Sequence, residues 1–558
     1  MKLFRKNNLL VPPEKKYEIR KDRLLLVLSG VLMGIGFPPF PFPFSLLLFV
    51  GLIPYFIVIE KKQTLGEINR ATYLTFFIFT IITLYWVGSW QKQADPFLMI
   101  AGTALMFVNP LFFLIPSTLL YLARKSFPGR NVLFLFPLFW VTYEYLYMLT
   151  DLSFPWLTLG NGLAHFVVFI QIADVIGSVG ISVIIIYINI FLYRAYINYK
   201  TNKRRFTVNL SSAFLIFVFV LSYGVYKYST FKISKSTIKV GLIQPDLDPW
   251  AKWQGGNLFK LTDLYLDLSR QAANKGARLI VWPETALPIF LLDGSNQTVL
   301  DTIYKFINRN NVYLLTGMPD VKYYFKGDKI PQDAVEGNNG AFYYTTYNGI
   351  LLLSPNSSRI QRYGKMKLVP FGERVPFVDT FPALGKIIKW GVGISGWNVG
   401  KDTTDFKIPA SAADSDYTKK DSISIDGLVC YESIFPYFVT SFIRRGAKII
   451  TVVTNDSWYG NSSGPYQHKE ISVLRAIENR RTVIRAANGG ISCIIDPLGR
   501  TIVESKFYTK TYIVGDVHLE NVETFFTKHP LIVPVISSGI SLWVFGFFIL
   551  LKLKKKLS

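Results

Sequence analysis

Apolar residues run nearly uninterrupted by charge near 24–42, 44–59, 71–90, 97–122, 131–150, 167–193, 207–229 and 531–551. A helix that crosses a bilayer needs about 20 such residues, so these runs predict eight transmembrane helices. Pro38, Pro39, Pro41, Pro43, Pro110 and Pro116 interrupt them, which membrane helices tolerate where neighbours satisfy the freed backbone groups. Between about 237 and 520 the texture changes to short β-rich runs alternating with helical patterns, the signature of an α/β domain. Expected strands are 239–244, 278–282, 312–316, 349–353, 423–429, 448–454, 482–487, 491–495 and 511–516. Leu258, Leu261, Tyr265, Leu268 and Ala272 recur at helical spacing, with Gly276 as a stop, and predict a helix over 257–275 that packs on a sheet. Residues 320–340 and 400–422 are polar and weakly patterned and read as loops. The expected organisation is a polytopic α-helical membrane bundle over 1–236, an α/β domain over 237–525, and a last transmembrane helix with a basic tail over 526–558.

Composition agrees with lipid as the solvent of a large part of the chain. Half of the 558 residues are hydrophobic and 18% are charged, against about 25% charged in a typical soluble protein. This excludes a disordered chain. Two cysteines and four histidines, His165, His468, His518 and His529, supply neither a disulfide framework nor zinc-ligand spacing.

The net charge of +24 could suggest nucleic acid, but its placement argues otherwise. Segments 1–23, 61–70, 124–130, 194–205 and 552–558 hold 8, 3, 3, 5 and 4 Lys/Arg, while the alternate connections 38–43, 91–96 and 151–166 hold only Lys92. By the positive-inside rule the first set is cytoplasmic. Both termini are then expected inside, and the long polar stretch outside. Residues 1–40 have the order of a signal peptide, but no small-residue cleavage site precedes the next apolar run, so a membrane helix is expected there. Gly30 and Gly34 form a helix-contact pattern. Glu144, Asp151 and Asp174, beside or inside apolar runs, fit either a functional or an interfacial place.

Three segments set a reactive side chain directly after an apolar run, where an α/β sheet presents residues at its rim. They are Trp282-Pro283-Glu284-Thr285, Gly364-Lys365 through Phe371-Gly372-Glu373, and Val429-Cys430-Tyr431-Glu432-Ser433. Singly, each also reads as ordinary structure: a buried cysteine, a surface acid, a solvated lysine. Together and in this order they resemble the nitrilase superfamily, which uses a Glu, Lys and Cys set on an α-β-β-α sandwich. The words Gln244 to Trp253, Thr454-Asn455-Asp456-Ser457-Trp458-Tyr459-Gly460, Gly464-Pro465-Tyr466-Gln467-His468, and Arg475-Ala476 through Asn488-Gly489 narrow the resemblance to the bacterial apolipoprotein N-acyltransferases. That family places a nitrilase-like domain outside the inner membrane, between a seven-helix bundle and a final helix.

The resemblance implies a two-step acyl transfer without metal or cofactor. Cys430 would attack a glycerophospholipid ester and form a thioester, Glu284 would act as general base and acid, and Lys365 would hold the oxyanion, aided by a backbone N–H after Cys430. The acceptor would be the α-amine of the N-terminal diacylglyceryl-cysteine of an apolipoprotein. Family spacing, eight residues before the Glu of Pro-Phe-Gly-Glu, selects Lys365 over Lys367. Glu373 and Glu432 would orient Lys365 and the Cys430 loop. Trp253, Tyr431, Trp458 and the 377–398 loop, with Phe377, Phe381, Trp390 and Trp397, are candidates for a lipid-facing rim or for plain aromatic packing. Asn455, Asp456, Arg475, Glu478 and Arg485 read as polar ties within the sandwich, and Cys493 as core, unpaired with Cys430. The competing readings are a membrane-anchored nitrilase-like amidase or hydrolase with water as acceptor, and a transporter or receptor whose outer domain binds without catalysis.

Overall fold

The computed structural model describes residues 13–253, 257–381, 396–401, 403–413 and 422–557. Its first part is a helical bundle of α1 (Pro13–Ile35), α2 (Ile53–Ile59), α3 (Leu65–Leu84), α4 (Pro96–Phe112), α5 (Leu114–Ser126), α6 (Phe136–Leu149), α7 (Ala173–Asn198) and α8 (Lys203–Thr230), joined at its side by the C-terminal helix Ile532–Leu557. Among the described residues, six stretches are long and apolar enough to cross a membrane: Leu65–Gly88, Pro96–Ser126, Val132–Leu149, Phe169–Asn198, Lys203–Thr230 and Ile532–Leu557. Phe214, Leu215 and Phe219 of α8, and Leu542, Trp543 and Leu550 of the last helix, point outward. An apolar exterior of this extent fits contact with lipid.

The first two expected spans take another form. α1 draws its first half from charged residues and ends at Ile35, because Gly36 to Pro43 contains four prolines, each lacking the N–H that a helix needs. The run 44–59 divides into a single 3₁₀ stretch, Phe44–Phe49, and the short α2. Gly30 and Gly34 do sit at a helix contact: a Cβ on either would strike Ile78 or Ile82 of α3.

The polar part is built on two sheets. In the first, β1 (Thr237–Gln244), β2 (Leu279–Trp282) and β3 (Tyr313–Tyr324) run parallel, flanked by antiparallel β14 (Thr511–His518) and β5 (Phe342–Leu353), with short β4 (Val335–Gly337) and β6 (Gln361–Gly364) on β5. In the second the order is β13 (Thr501–Glu504), β12 (Cys493–Ile495), β11 (Thr482–Ala487), β10 (Ile449–Thr454), β8 (Ser422–Ile425) and β7 (Phe406–Pro409), and β9 (Leu428–Val429) pairs with β10. The period-two alternation of strands decides which face meets which layer. Leu279, Val281, Leu315, Ile350 and Leu352 join the core shared with the second sheet. Their neighbours Ile280, Trp282, Leu314, Leu351 and Leu353 pack under α9 (Leu258–Asn274) and α10 (Gln297–Asn310). Helices Pro436–Arg444 and Ser463–Asn479 cover the far side, which completes the four layers.

Strand ends differ from expectation where side-chain chemistry is locally ambiguous. β3 and β5 extend past the core as a hairpin arm, so 320–324 and, as β4, 335–337 are strand while the rest of 320–340 is loop; cross-strand aromatic pairs such as Tyr323 on Phe342 hold the arm. The stretch 423–429 splits at Asp426, whose carboxylate accepts from Thr451 N (2.6 Å). Within 400–422, Phe406 and Ile408 are buried in β7, and 414–421 lie outside the described residues.

Helix Ser463–Asn479 lies between sandwich and bundle and ties them together. The Gln467 side chain accepts from Trp86 Nε1 (3.0 Å) and Trp156 Nε1 (2.7 Å) and donates to Pro38 O (2.8 Å) and Thr83 O (3.0 Å). Glu478 accepts from Ser178 N (2.8 Å) and pairs with Arg475. Arg475 also donates to Ile434 O (3.2 Å), so Arg475 and Glu478 are ties within the sandwich that also join it to the bundle through Ser178. Just past the helix, buried Arg480 grips Asp174 of α7 through Nη2 (2.8 Å) and Nε (3.2 Å). Removing one partner of a buried pair strands the other charge, at about 3–5 kcal/mol. Arg480→Ala and Asp174→Ala are each expected to lower the thermal unfolding midpoint in detergent, and the double variant to lose less than the sum of the two. Strict additivity would count against a coupled pair.

Candidate active site

Each reactive segment leaves its strand at the rim that the α/β pattern predicts. Glu284 follows β2, Cys430 follows β9, and Thr454-Asn455-Asp456 closes β10, all at carboxyl ends of parallel strands, while Lys365 follows β6. The backbone turns sharply there: Thr285 (φ 44°) and Cys430 (φ 51°) occupy the left-handed region, which non-glycine residues enter at a cost that the surroundings must hold. At Cys430 the surroundings are specific. Its carbonyl accepts from Ser433 Oγ (2.8 Å) and lies 3.2 Å from His468 Nε2.

The three predicted catalytic residues converge. Lys365 Nζ lies 2.8 Å from Glu373 Oε1 and 3.6 Å from Glu284 Oε1, and all three side chains are buried. Cys430 lies close enough to the pair for the charges of Glu284 and Lys365 to act on its thiol. Glu284 also accepts from Asn348 Nδ2 (2.8 Å) and from Asn455 N (3.0 Å). Asn348 Nδ2 also donates to Glu373 (2.9 Å), so one amide holds both carboxylates around one ammonium. Burial pushes the Glu284 carboxyl above its ordinary value, against the pull of Lys365, and the nearby Glu373 charge adds to the rise. Burial also pushes the Cys430 thiol up, with the Glu284 charge adding to it, so the sulfur rests protonated and needs a base. Lys365 is lifted further into its charged form by Glu373 and Glu284, which outweigh its burial.

The supporting residues also fall here. Glu432 accepts from Val429 N (2.8 Å), Met366 N (2.7 Å), Lys367 N (3.1 Å) and the Tyr363 hydroxyl (2.6 Å), which staples the cysteine turn to the lysine loop. Burial pushes its carboxyl up to about 7, opposed by those donors. Tyr431 donates to Ser153 O of the bundle and packs against Phe154 and Phe435. Lys367 lies apart, its ammonium 5.4 Å from the Phe435 ring centre. Cys493 is a free, buried cysteine in β12, and Cys430 is also free.

The aromatic candidates scatter. Trp458 packs on Trp250 (4.8 Å) and its carbonyl accepts from Ser89 and Gln91, which places it in the contact with the bundle. Trp253 ends the short helix Pro249–Trp253, half-buried. Phe377 and Phe381 are exposed, and Asp151 accepts from Phe377 N (3.0 Å). Trp397 is buried, and Trp390 lies outside the described residues.

In sequence Asn348 goes unmarked, and Asp456 and Arg485 read as sandwich ties, which they are, with nothing to join them to His468 or to the site. Asn348 is a polar residue in an apolar strand, a faint signal. His468, Asp456 and Arg485 form a buried cluster beneath the cysteine turn: His468 Nδ1 lies 3.1 Å from Asp456 Oδ1, and Arg485 pairs with the same carboxylate. Thr454, at the end of β10, donates to Asp456 (3.1 Å). Arg485 and His468 hold the Asp456 carboxyl far below the usual carboxylate range despite its burial. Nothing in the local spacing joins these residues, since they come from three separate elements.

Two family descriptions divide the chain where its two parts divide. The apolipoprotein N-acyltransferase N-terminal domain matches residues 29–191 and the carbon–nitrogen hydrolase domain residues 239–525. The apolipoprotein N-acyltransferase of Chlorobaculum tepidum is 33% identical over 536 residues, 94% of this chain and 96% of that one. That of Geobacter metallireducens is 31% identical over 519 residues, 91% and 92% of the two chains. With both regions matched and relatives aligned nearly end to end, the chain belongs to the apolipoprotein N-acyltransferase family.

Proposed function

We propose that the chain moves a fatty acyl group from a glycerophospholipid, through a thioester on Cys430, to the α-amine of the N-terminal diacylglyceryl-cysteine of lipoproteins. The Cys430 sulfur attacks the ester carbonyl as its proton passes to Glu284. The S–C bond forms, and the carbonyl oxygen becomes an oxyanion facing the Lys365 ammonium. Collapse breaks the C–O bond, and Glu284 returns the proton to the departing lysophospholipid oxygen. In the second half the lipoprotein amine attacks the thioester carbonyl and gives a proton to Glu284. An N–C bond forms, the C–S bond breaks, and the sulfur recovers its proton.

The observation that carries this reading is the buried Glu284–Lys365 pair (3.6 Å), set close enough to Cys430 for both charges to act on its thiol, in a chain of this family. A raised carboxyl pKa brings the base closer to the thiol it must deprotonate, and a fixed ammonium needs no reorganisation when charge develops. Tyr459, Trp86, Trp156, Phe154 and Tyr431 pack ring on ring between the site and the bundle, Tyr459 edge to face on Trp86 and Phe154 stacked on Trp156 and Tyr431. Such a wall favours an amine over water as acceptor by keeping the thioester dry.

In this reading the protein is a multi-pass protein of the bacterial inner membrane, with the sandwich periplasmic and both termini cytoplasmic. The uneven Lys/Arg distribution supports that orientation. α1 and the Phe44–Ile59 stretch would complete eight spans, and Trp253 and the exposed Phe377 and Phe381 would meet the lipid substrates.

The reading is tested by supplying the purified protein with phospholipid and a diacylated lipopeptide bearing a free N-terminus. The peptide should gain one acyl mass, and the same peptide with a blocked N-terminus should gain none. Release of free fatty acid with no peptide product would make the protein a hydrolase. Because Glu284 must be ionised to accept the proton and its pKa is raised, the acid limb of the acylation rate should lie above the ordinary glutamate value of 4.5, with the rate rising as pH increases through it. A limb at or below that value would remove Glu284 as the base.

A further inference from the structure

A second polar concavity lies at the other end of the bundle. Residues following α2 (Glu60, Lys62), the last turns of α5 (Tyr121, Arg124, Lys125), the approach to α6 (Arg130 to Leu133) and the end of α7 (Arg194) enclose a cleft of about 260 Å³. α7 kinks at Gly177, and beyond the kink the 1.5 Å rise per residue puts Arg194 about 24 Å along the helix from Ser178, which contacts the sandwich. This separation is most of the hydrocarbon thickness of a bilayer, about 30 Å. The cleft therefore opens at the opposite membrane interface from the candidate active site.

Its charge is unbalanced. Lys62, Arg124, Lys125, Arg130 and Arg194 line it with Glu60 as the one acid among the lining residues. Glu60 is shared: Arg124 pairs with it, and Arg194 lies 3.8 Å from its other oxygen. Lys62 is drawn to Asp22 (2.7 Å), and the Lys125 ammonium sits 5.5 Å from the Tyr121 ring centre. Basic residues that serve only as topology signals need no more than the right side of the membrane, and water suits them there. Here the two guanidiniums turn inward, with side chains 20% and 21% exposed. Arg194 also contacts Asn131 Oδ1, and its Nε is buried with no acceptor among the described residues. A buried donor beside a concave surplus of positive charge is what a phosphate oxygen satisfies.

We propose that this cleft binds one phosphate group, supplied by the headgroup of an anionic phospholipid in the leaflet on that side. Tyr121, Val132 and Leu133 add an apolar wall to the cations, which suits a lipid whose glycerol carries chains away from its phosphate. The site is independent of the acyl-transfer reading, because none of its lining residues belongs to the candidate active site.

Native mass spectrometry of the full-length protein in detergent tests the proposal, with phosphatidylglycerol, phosphatidylcholine and inorganic phosphate as separate probes. The wild type should retain phosphatidylglycerol in preference to phosphatidylcholine. The Arg130→Gln/Arg194→Gln variant should bind it about tenfold or more weakly. Arg130→Glu, at an exposed position, should weaken it without disturbing the fold, and decides the matter if the double variant unfolds. Lys555→Gln/Lys556→Gln in the C-terminal helix removes two cations elsewhere and should change nothing. Inorganic phosphate that binds alone and displaces the lipid at similar concentration would keep the anion site and overturn the lipid as its source. Equal retention of both lipids, or a loss no greater in the cleft variants than in the C-terminal one, would overturn the site.

Discussion

Cys430→Ala is expected to abolish acyl transfer, by at least about 10³-fold, while the protein still folds and inserts. The thiol forms the covalent bond on which both half-reactions depend, and alanine offers nothing to acylate. The fold should hold because the turn is stapled by atoms that the substitution leaves alone: the Cys430 carbonyl, held by Ser433 and facing His468, and Val429 N, held by Glu432. Alanine keeps the Cβ, so the left-handed backbone at φ 51° is no more strained than before. Cys430→Ser should be almost as inactive, since Glu284 would have to deprotonate a much weaker acid. Transfer at the wild-type rate by the alanine variant would remove the mechanism.

Lys365 carries the second large effect, because it faces two carboxylates. Lys365→Met should lower transfer by about 10²–10³-fold through loss of the oxyanion's counter-charge. It should also lower stability by about 3 kcal/mol, because Glu284 and Glu373 are left buried with only the neutral donors Asn348, Asn455 N and Val369 N around them. The two losses can be separated. Adding Glu373→Gln to Lys365→Met removes one stranded charge, so the unfolding midpoint should recover in part while transfer stays low. Recovery of both together would mean that Lys365 is only a structural counter-ion.

The large-scale organisation was legible because it rests on long-range composition. Apolar runs and the Lys/Arg asymmetry separate bundle from sandwich, and short, fully buried apolar strands such as β2 and β10 stand within a residue or so of the runs that mark them. The limits were local. A run of apolar residues does not say where proline will end a helix, as it does after Ile35, nor that Phe44 to Ile59 will break in two. The hairpin arm of β3 and β5 carries polar residues on both faces and so looks like loop until its partner strand is known.

The site divides in the same way. Glu284, Lys365 and Cys430 each follow an apolar run and stand in recognisable words, so the residues could be named before their geometry was known. What the words could not convey was support. Asn348 bridges two acids from the middle of a strand, and His468 reaches under the cysteine turn from a helix that also grips the bundle. Arg475 and Glu478 read only as internal ties because no local pattern reveals that Ser178, far away in sequence, is also their partner.

The central claim is that the acyl group rests on Cys430 between donor and acceptor. Incubate the purified protein with phospholipid alone, then measure its intact mass and digest it. The account predicts one added acyl chain on the peptide containing Cys430, released by hydroxylamine as a thioester is, absent from Cys430→Ala, and discharged onto an added diacylated lipopeptide. An unmodified Cys430 in a preparation that still acylates the lipopeptide would contradict it.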